Sequence, residues 1–220
     1  VTMKTKTLIL LAIIAAAFCG AFGIAADYPL KPVPYYEVEM TSDFWRPRMV
    51  TQRETLVPWA FERTESGVEH LQAAGDFLKG KEVTDHKAHR FIDSDLYKVM
   101  EGAAYLLQLE RDPELEAKID KIIAVIGEAQ EPNGYLYPSH TTKVGTEKNM
   151  MGDKPYSFIV HSHELYNMGH LYEAAVAYFE TTGKDALLKI AEKNAQHINK
   201  VFFEGDPKYN AGKAIRQAPG

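Results

Sequence analysis

Apolar and polar positions follow a helical rhythm through the second half of the chain. Leu96, Val99, Met100, Ala103 and Leu107 recur at three- and four-residue spacing. That spacing predicts a helix over about residues 93–109, with Asp93 or Ser94 as its cap. Leu115, Ile119, Ile122, Ile123 and Ile126 mark the buried face of a second helix. Asp112-Pro113 opens it, with the proline at the first position, where its missing N–H costs nothing. Only a few residues separate the two helices, so an antiparallel hairpin is expected. A second hairpin follows: a helix over 162–181 that stops at Gly183, then one over 186–203 after Asp185, with Leu187, Ile190, Ala191, Ile198 and Val201 inward. Between the hairpins lies 131–160, opened by the turn Pro132-Asn133-Gly134. It is too long for a mere connection, and such loops tend to be functional or disordered.

Upstream the pattern weakens. Residues 51–62 read as helical with a kink or break at Pro58, and 67–87 as loop around a helical piece at 68–74. Residues 27–42 form a Pro- and Tyr-rich extended lead-in, with a short strand expected at 36–40. A new unit, 43–220, starts at Asp43-Phe44-Trp45. The hairpins repeat, with Ala103-Ala104 aligned with Ala174-Ala175 and Leu115/Ile119 with Ala186/Ile190, a period of about 70 residues. Repeated hairpins mean an α/α toroid or a solenoid, so the fold class is all-α. A closed toroid of six such hairpins needs roughly 350–400 residues. The sequence is therefore expected to be the N-terminal part of an (α/α)6 toroid, a fragment.

One stretch departs from ordinary amphipathicity: His161-Ser162-His163-Glu164-Leu165-Tyr166-Asn167-Met168-Gly169-His170. At about 100° per residue, Leu165, Met168, Gly169, Tyr172, Val176 and Phe179 share a side, the expected core face. His163, Tyr166, Asn167 and His170 share the other, followed by Ala174 and Ala177. Imidazoles, a phenol, an amide and small residues suit a polar cavity wall better than open water, where Lys, Glu and Arg prevail. The last helix instead turns Lys189, Glu192, Lys193 and Gln196 outward. One helix looking in and one looking out is the layout of a double-layered α/α barrel.

Composition narrows the classes. The 220 residues are 45% hydrophobic and 25% charged, ordinary for a globular protein. A net charge of -5 with no cluster of Lys and Arg argues against a nucleic-acid surface. Residues 1–26 read as a secretory signal: Lys4 and Lys6, an apolar run over 8–18, then Gly23-Ile24-Ala25-Ala26 for cleavage. The competing reading is an anchor that stays. Export to the periplasm or exterior follows, with no stable membrane span after removal. Cys19 is the only cysteine. A lipoprotein cysteine wants Leu three residues earlier, where Ala16 stands, so lipidation is the lesser alternative. After cleavage no disulfide or thiolate metal site remains.

The histidines do not make a metal motif. His163 and His170 are seven residues apart, about 10.5 Å along a helix, and the spacing is not that of H-E-x-x-H. His163 is better read as a hydrogen-bonding residue for a polar ligand, or as a buried structural histidine. Asp93 and Asp95 sit at a helix start, where acids suit the dipole; a catalytic role needs a second acid across a cavity. Tyr135 and Tyr137 either line a sugar subsite or pack. His86, His89 and His140 lie in loops without a usable pattern. There is no phosphate-binding glycine loop and no G-x-S-x-G.

Several ordered segments are familiar: Asp43-Phe44-Trp45-Arg46, Ala73-Ala74-Gly75, Phe91-Ile92-Asp93-Ser94-Asp95-Leu96-Tyr97-Lys98, Glu101-Gly102-Ala103-Ala104-Tyr105, Asn133-Gly134-Tyr135-Leu136 and Ser162-His163-Glu164-Leu165-Tyr166 with Gly169-His170. From about Asp43 onward the chain resembles the β-L-arabinofuranosidase family, glycoside hydrolase family 127 and its relatives. The resemblance implies a catalytic (α/α)6 toroid followed by β-sandwich domains, and retaining hydrolysis by a cysteine nucleophile. That cysteine belongs to a zinc site of three cysteines and a glutamate, where metal binding deprotonates the thiol. A separate glutamate is the candidate acid/base. No segment here matches those motifs, so zinc is expected only in the full-length protein. The family's S-H-E-L histidine contacts the sugar, which makes His163 a substrate-binding residue; Tyr166, His170 and Tyr135 are further candidates. The family's second active-site histidine follows a P-G or D-G pair, and Pro219-Gly220 stands where the sequence stops. Gln72 does not align with the family's substrate-contacting glutamine, and Tyr137-Pro138-Ser139-His140 departs from the better-known members.

The expected function is thus the N-terminal part of an exported glycoside hydrolase acting on β-L-arabinofuranosides or a related furanoside of plant cell-wall glycans, with that carbohydrate as partner. The alternatives are a helical-hairpin scaffold binding a protein, or a toroid lyase or sugar epimerase. A scaffold of tetratricopeptide type has a period of about 34 residues with short loops, unlike this chain.

Overall fold

A computed structural model describes residues 30–31, 33–34, 37–84, 89–143 and 151–210. The chain falls into two compact units, Val1–Glu39 and Met40–Gly220. The expected signal at 1–26 lies outside the described residues, as does His86. In the lead-in, the Glu37 N–H closes a turn on the Pro34 carbonyl at 2.9 Å. The described residues contain no strand, so the strand expected at 36–40 is not found over 37–40. Nothing among them offers those residues a ladder partner.

The second unit is helical throughout its described residues. It opens with α1 (Arg46–Thr51) and α2 (Val57–Arg63), joined by a widened π-turn over Gln52–Leu56. The kink expected at Pro58 takes this form. A proline ring clashes with the carbonyl four residues back and supplies no N–H, so the ladder loosens just before it. Then α3 (Glu65–Leu78) runs twice the length the pattern predicts.

Helices α4 (Ile92–Leu109) and α5 (Pro113–Ala129) match expectation closely. The Asp112 carboxylate accepts the N–H groups of Glu114 and Leu115, both at 3.0 Å, and so caps α5. At α4 the expected cap is wrong. The helix starts at Ile92, and Asp93 turns into the core instead of capping. The expected hairpin pairing also shifts, since α5 packs chiefly against α3 and only lightly against α4. Short connections set sequence neighbours close; the alanine and isoleucine faces decide which helix each one buries against.

The long loop holds α6 (Pro138–Thr142) and α7 (Ile159–Ser162). Its opening turn docks on α9 (Ala186–Asn199). Asn194 and Gln130 side-chain amides donate to the Gly134 carbonyl at 2.9 and 3.2 Å. Gly134 has φ +97°, and a Cβ there would run into the Lys193 carbonyl oxygen, so no other residue fits this approach. Between them, α8 (Glu164–Thr182) ends at Gly183 as expected but begins two residues late, at Glu164. After α9 a π-turn over Lys200–Glu204 leads to α10 (Pro207–Asn210).

The most extensive packing joins α4 and α8. Ala103, Ala104, Ala174 and Ala175, aligned by the repeat, are all fully buried. Behind this pair lie α3, α5 and α9, and the core between them is filled by Leu71, Leu96, Met100, Ile119, Ile126, Leu171 and Leu187. The core face of α8 is not the expected one. Met168, Leu171, Ala174, Ala175 and Tyr178 are buried, whereas Gly169, Val176 and Phe179 are exposed. This helix carries apolar residues on more than one side, so periodicity alone does not choose a face.

Candidate functional site

Contacts along α4 and α8 fix their relative direction. Phe91 meets His163, the Lys98 ammonium donates to the Tyr166 hydroxyl at 2.8 Å, and Thr181 donates to the Ala104 carbonyl at 3.2 Å. The helices are therefore parallel, with both N-termini at one end.

At that end the side chains form a row. His89 stacks on Phe91 with ring centres 5.5 Å apart. His163 stands edge-on to Phe91 at 5.5 Å and to Tyr166 at 5.5 Å. Tyr166 meets His170 edge-on at 4.8 Å. Tyr166 is exposed, and His163 and His170 are half-buried. Lys98 is also paired with Asp95 at 3.3 Å, and His170 with Glu173 at 3.0 Å. Burial works against the Lys98 charge, but the bonds to Tyr166 and Asp95 outweigh it and hold the ammonium above its ordinary range. A surface of aromatic edges with imidazole, phenol and ammonium donors is suited to hydroxyl-rich ligands.

His163 holds an uncommon backbone. It has φ +60° and ψ 16°, the left-handed region, immediately before the first turn of α8. Its carbonyl still accepts the Asn167 N–H at 2.9 Å. Bulky residues seldom occupy this region without surrounding support. The support lies beneath. Glu164, 1% exposed, accepts the Tyr135 hydroxyl at 2.5 Å, the Ser162 hydroxyl at 2.6 Å and the Tyr156 N–H at 2.9 Å. Tyr137 donates to the Ser162 carbonyl at 2.5 Å. Burial raises the Glu164 carboxyl above its ordinary range, against the pull of those donors. Burial likewise pushes the Tyr135 and Tyr156 phenols well above theirs.

Of the expected ligand-facing residues, His163, Tyr166 and His170 thus share one wall. Tyr135 does not join them: it is 2% exposed, with its hydroxyl spent on Glu164, and it braces the wall from behind. Tyr137 packs as well. Asp93 bonds His70 Nδ1 at 3.0 Å, and His70 Nε2 lies 3.2 Å from Ser139 Oγ. The order Ser–His–Asp is that of a nucleophilic triad. Here Ser139 is 2% exposed and His70 and Asp93 are more buried still, so no substrate reaches it and the chain ties α3, α4 and α6 together. Sequence reasoning missed Glu164, Phe91 and Lys98. Lys98 follows Asp95 by three residues, a legible pair; an acid in a first helical turn carries no mark of being buried. Among the described residues no three His, Cys, Asp or Glu side chains gather as metal ligands.

Layered helices with a polar wall at the N-terminal ends of two parallel helices fit an α/α toroid. The profile described as β-L-arabinofuranosidase, GH127 catalytic domain, matches residues 37–215, and the chain belongs to that family. The non-reducing end β-L-arabinofuranosidase of Bifidobacterium longum subsp. longum is 34% identical over 185 residues, covering 75% of this chain and 27% of that protein. A solved GH127 β-arabinofuranosidase superposes with a TM-score of 0.74 at 32% identity, over 88% of this chain and 30% of the other. A GH127 β-L-arabinofuranosidase from Geobacillus stearothermophilus T6 gives 0.68 at 35% identity, over 77% and 26%. The fold is thus the N-terminal region of an (α/α)6 toroid, and the chain spans under a third of the length of these relatives.

Proposed function

We propose that this chain is the sugar-facing N-terminal part of an exported, retaining β-L-arabinofuranosidase acting on plant cell-wall glycans. His163 binds the arabinofuranosyl ring, and Tyr166 and His170 extend the same wall. Zinc, the cysteine nucleophile and the proton donor belong, on this reading, to other parts of the full-length protein. Residues 1–26 act as the leader for export. The observation that carries the reading is the left-handed His163, braced from beneath and set among Phe91, Tyr166 and His170. The test is His163→Ala in the full-length enzyme with an aryl β-L-arabinofuranoside. Losing one hydrogen bond to an uncharged sugar lowers kcat/KM by about tenfold or more. Unchanged kcat/KM in a folded variant removes His163 from the site.

A further inference from the structure

We propose that Glu164 is a positioning residue: its buried carboxylate holds His163 in the left-handed conformation that presents the imidazole to the sugar. The inference rests on the sugar-binding reading of His163 and adds how that residue is kept in place.

Three observations converge. Among the described residues, three non-glycine positions have positive φ: Lys143, Tyr156 and His163. Two of these bracket the segment 156–163, and Glu164 is tied to both, by the Tyr156 N–H and by the peptide bond to His163. The same carboxylate receives the Tyr135 hydroxyl from the loop before α6 and the Ser162 hydroxyl from α7. It thus clamps three separate stretches of chain at the point where α8 begins. Second, both carboxylate oxygens are engaged. Oε1 takes Tyr135 and Tyr156, and Oε2 takes Ser162 and a longer contact from Tyr156 at 3.2 Å. Every partner donates, which selects a carboxylate over an amide. Third, Glu164 is 1% exposed, so it neither touches a ligand nor exchanges a proton with one directly. A residue so enclosed acts on the reaction only through its neighbours, and its nearest neighbour at the wall is His163.

A double-mutant cycle in the full-length enzyme tests this, with wild type, Glu164→Gln, His163→Ala and the double variant assayed on an aryl β-L-arabinofuranoside. The amide turns hydrogens toward donors and loosens the clamp. Glu164→Gln is expected to lower kcat/KM by about tenfold in the wild-type background and less than about twofold in the His163→Ala background, since coupled residues are not additive. Equal losses in both backgrounds overturn the inference, as does no loss at all. Should Glu164→Gln fail to fold, Ser162→Ala removes one donor only; its expected loss is about threefold and again vanishes beside His163→Ala. An equal loss in both backgrounds there also overturns it. If His163→Ala alone leaves kcat/KM unchanged, the sugar-binding reading falls first. An additive cycle with an impaired His163→Ala sinks the positioning role alone.

Discussion

Two tyrosine–carboxylate bonds sit at opposite ends of α8. At the start, Tyr135 donates to Glu164 at 2.5 Å; near the finish, Tyr178 donates to Asp120 at 2.6 Å. Their surroundings differ in counter-charge and in burial. Asp120 also holds the Lys184 ammonium at 2.6 Å, and Lys184 reaches Glu116 at 2.5 Å. Glu164 has hydroxyl and backbone N–H donors, and among the described residues no cation is hydrogen-bonded to it. Burial pushes Asp120 up, but Lys184 and Tyr178 outweigh it and hold the carboxyl below its ordinary range. Burial wins at Glu164, which lies above its own. The far end balances its charge at the edge of solvent and fastens two helices. The near end keeps a carboxylate inside on hydrogen-bond donors without a bonded cation, a costly arrangement that fixes geometry at the wall.

The widest separation between the two ends is expected on truncation. Glu164→Ala strands three buried donors and should cost about 3–5 kcal/mol, read as a shift in denaturant midpoint. Asp120→Ala, whose carboxylate is 42% exposed and screened by solvent, should cost less than about 1 kcal/mol. Equal costs erase the contrast. Gly134→Ala, at the turn that docks the Tyr135 loop on α9, should cost about 2 kcal/mol through backbone strain and collision; an unchanged melting temperature speaks against that docking. The smallest and sharpest effect is in pH. With its folded value raised, Glu164 contributes stability in acid that is lost as pH climbs through that value. Asp120, with its folded value lowered, contributes stability at neutral pH that is lost as pH falls through that value. The stability gap between wild type and Glu164→Gln should therefore narrow as pH rises, and that between wild type and Asp120→Asn should widen. Parallel trends from chemical denaturation across pH contradict the comparison.

The sequence made the far end readable and the near end only half so. Asp112-Pro113, Gly183 and the aligned alanine pairs announce helices and their seam by local chemistry, and all lie where their signals put them. His163, Tyr166 and His170 are brought together by helical spacing alone. The turning of α8 was hidden because Val176 and Phe179 look as apolar as Leu171 and Tyr178, and only the packed neighbour decides between them. The clamp was hidden for a different reason. Left-handed backbone at Tyr156 and His163 has no glycine to betray it, and Glu164 looks like any acid opening a helix. The pairing of α5 with α3 rather than α4 depends on contacts across more than thirty residues, beyond the reach of local pattern.

The alanines at the α4–α8 seam also set a dimension. Side chains as small as Ala103, Ala104, Ala174 and Ala175, all buried where α4 and α8 pack, let helix axes approach to about 8 Å, the lower end of the usual range. In a regular hexagon the distance from centre to corner equals the side. In a ring of six inner helices, the bore at this level would therefore follow the mean of its six seams, of which this is one. A bulkier side chain here would push the two helices apart and widen the ring by a share of that change, so these four alanines act as a spacer between the helices that carry the histidine wall.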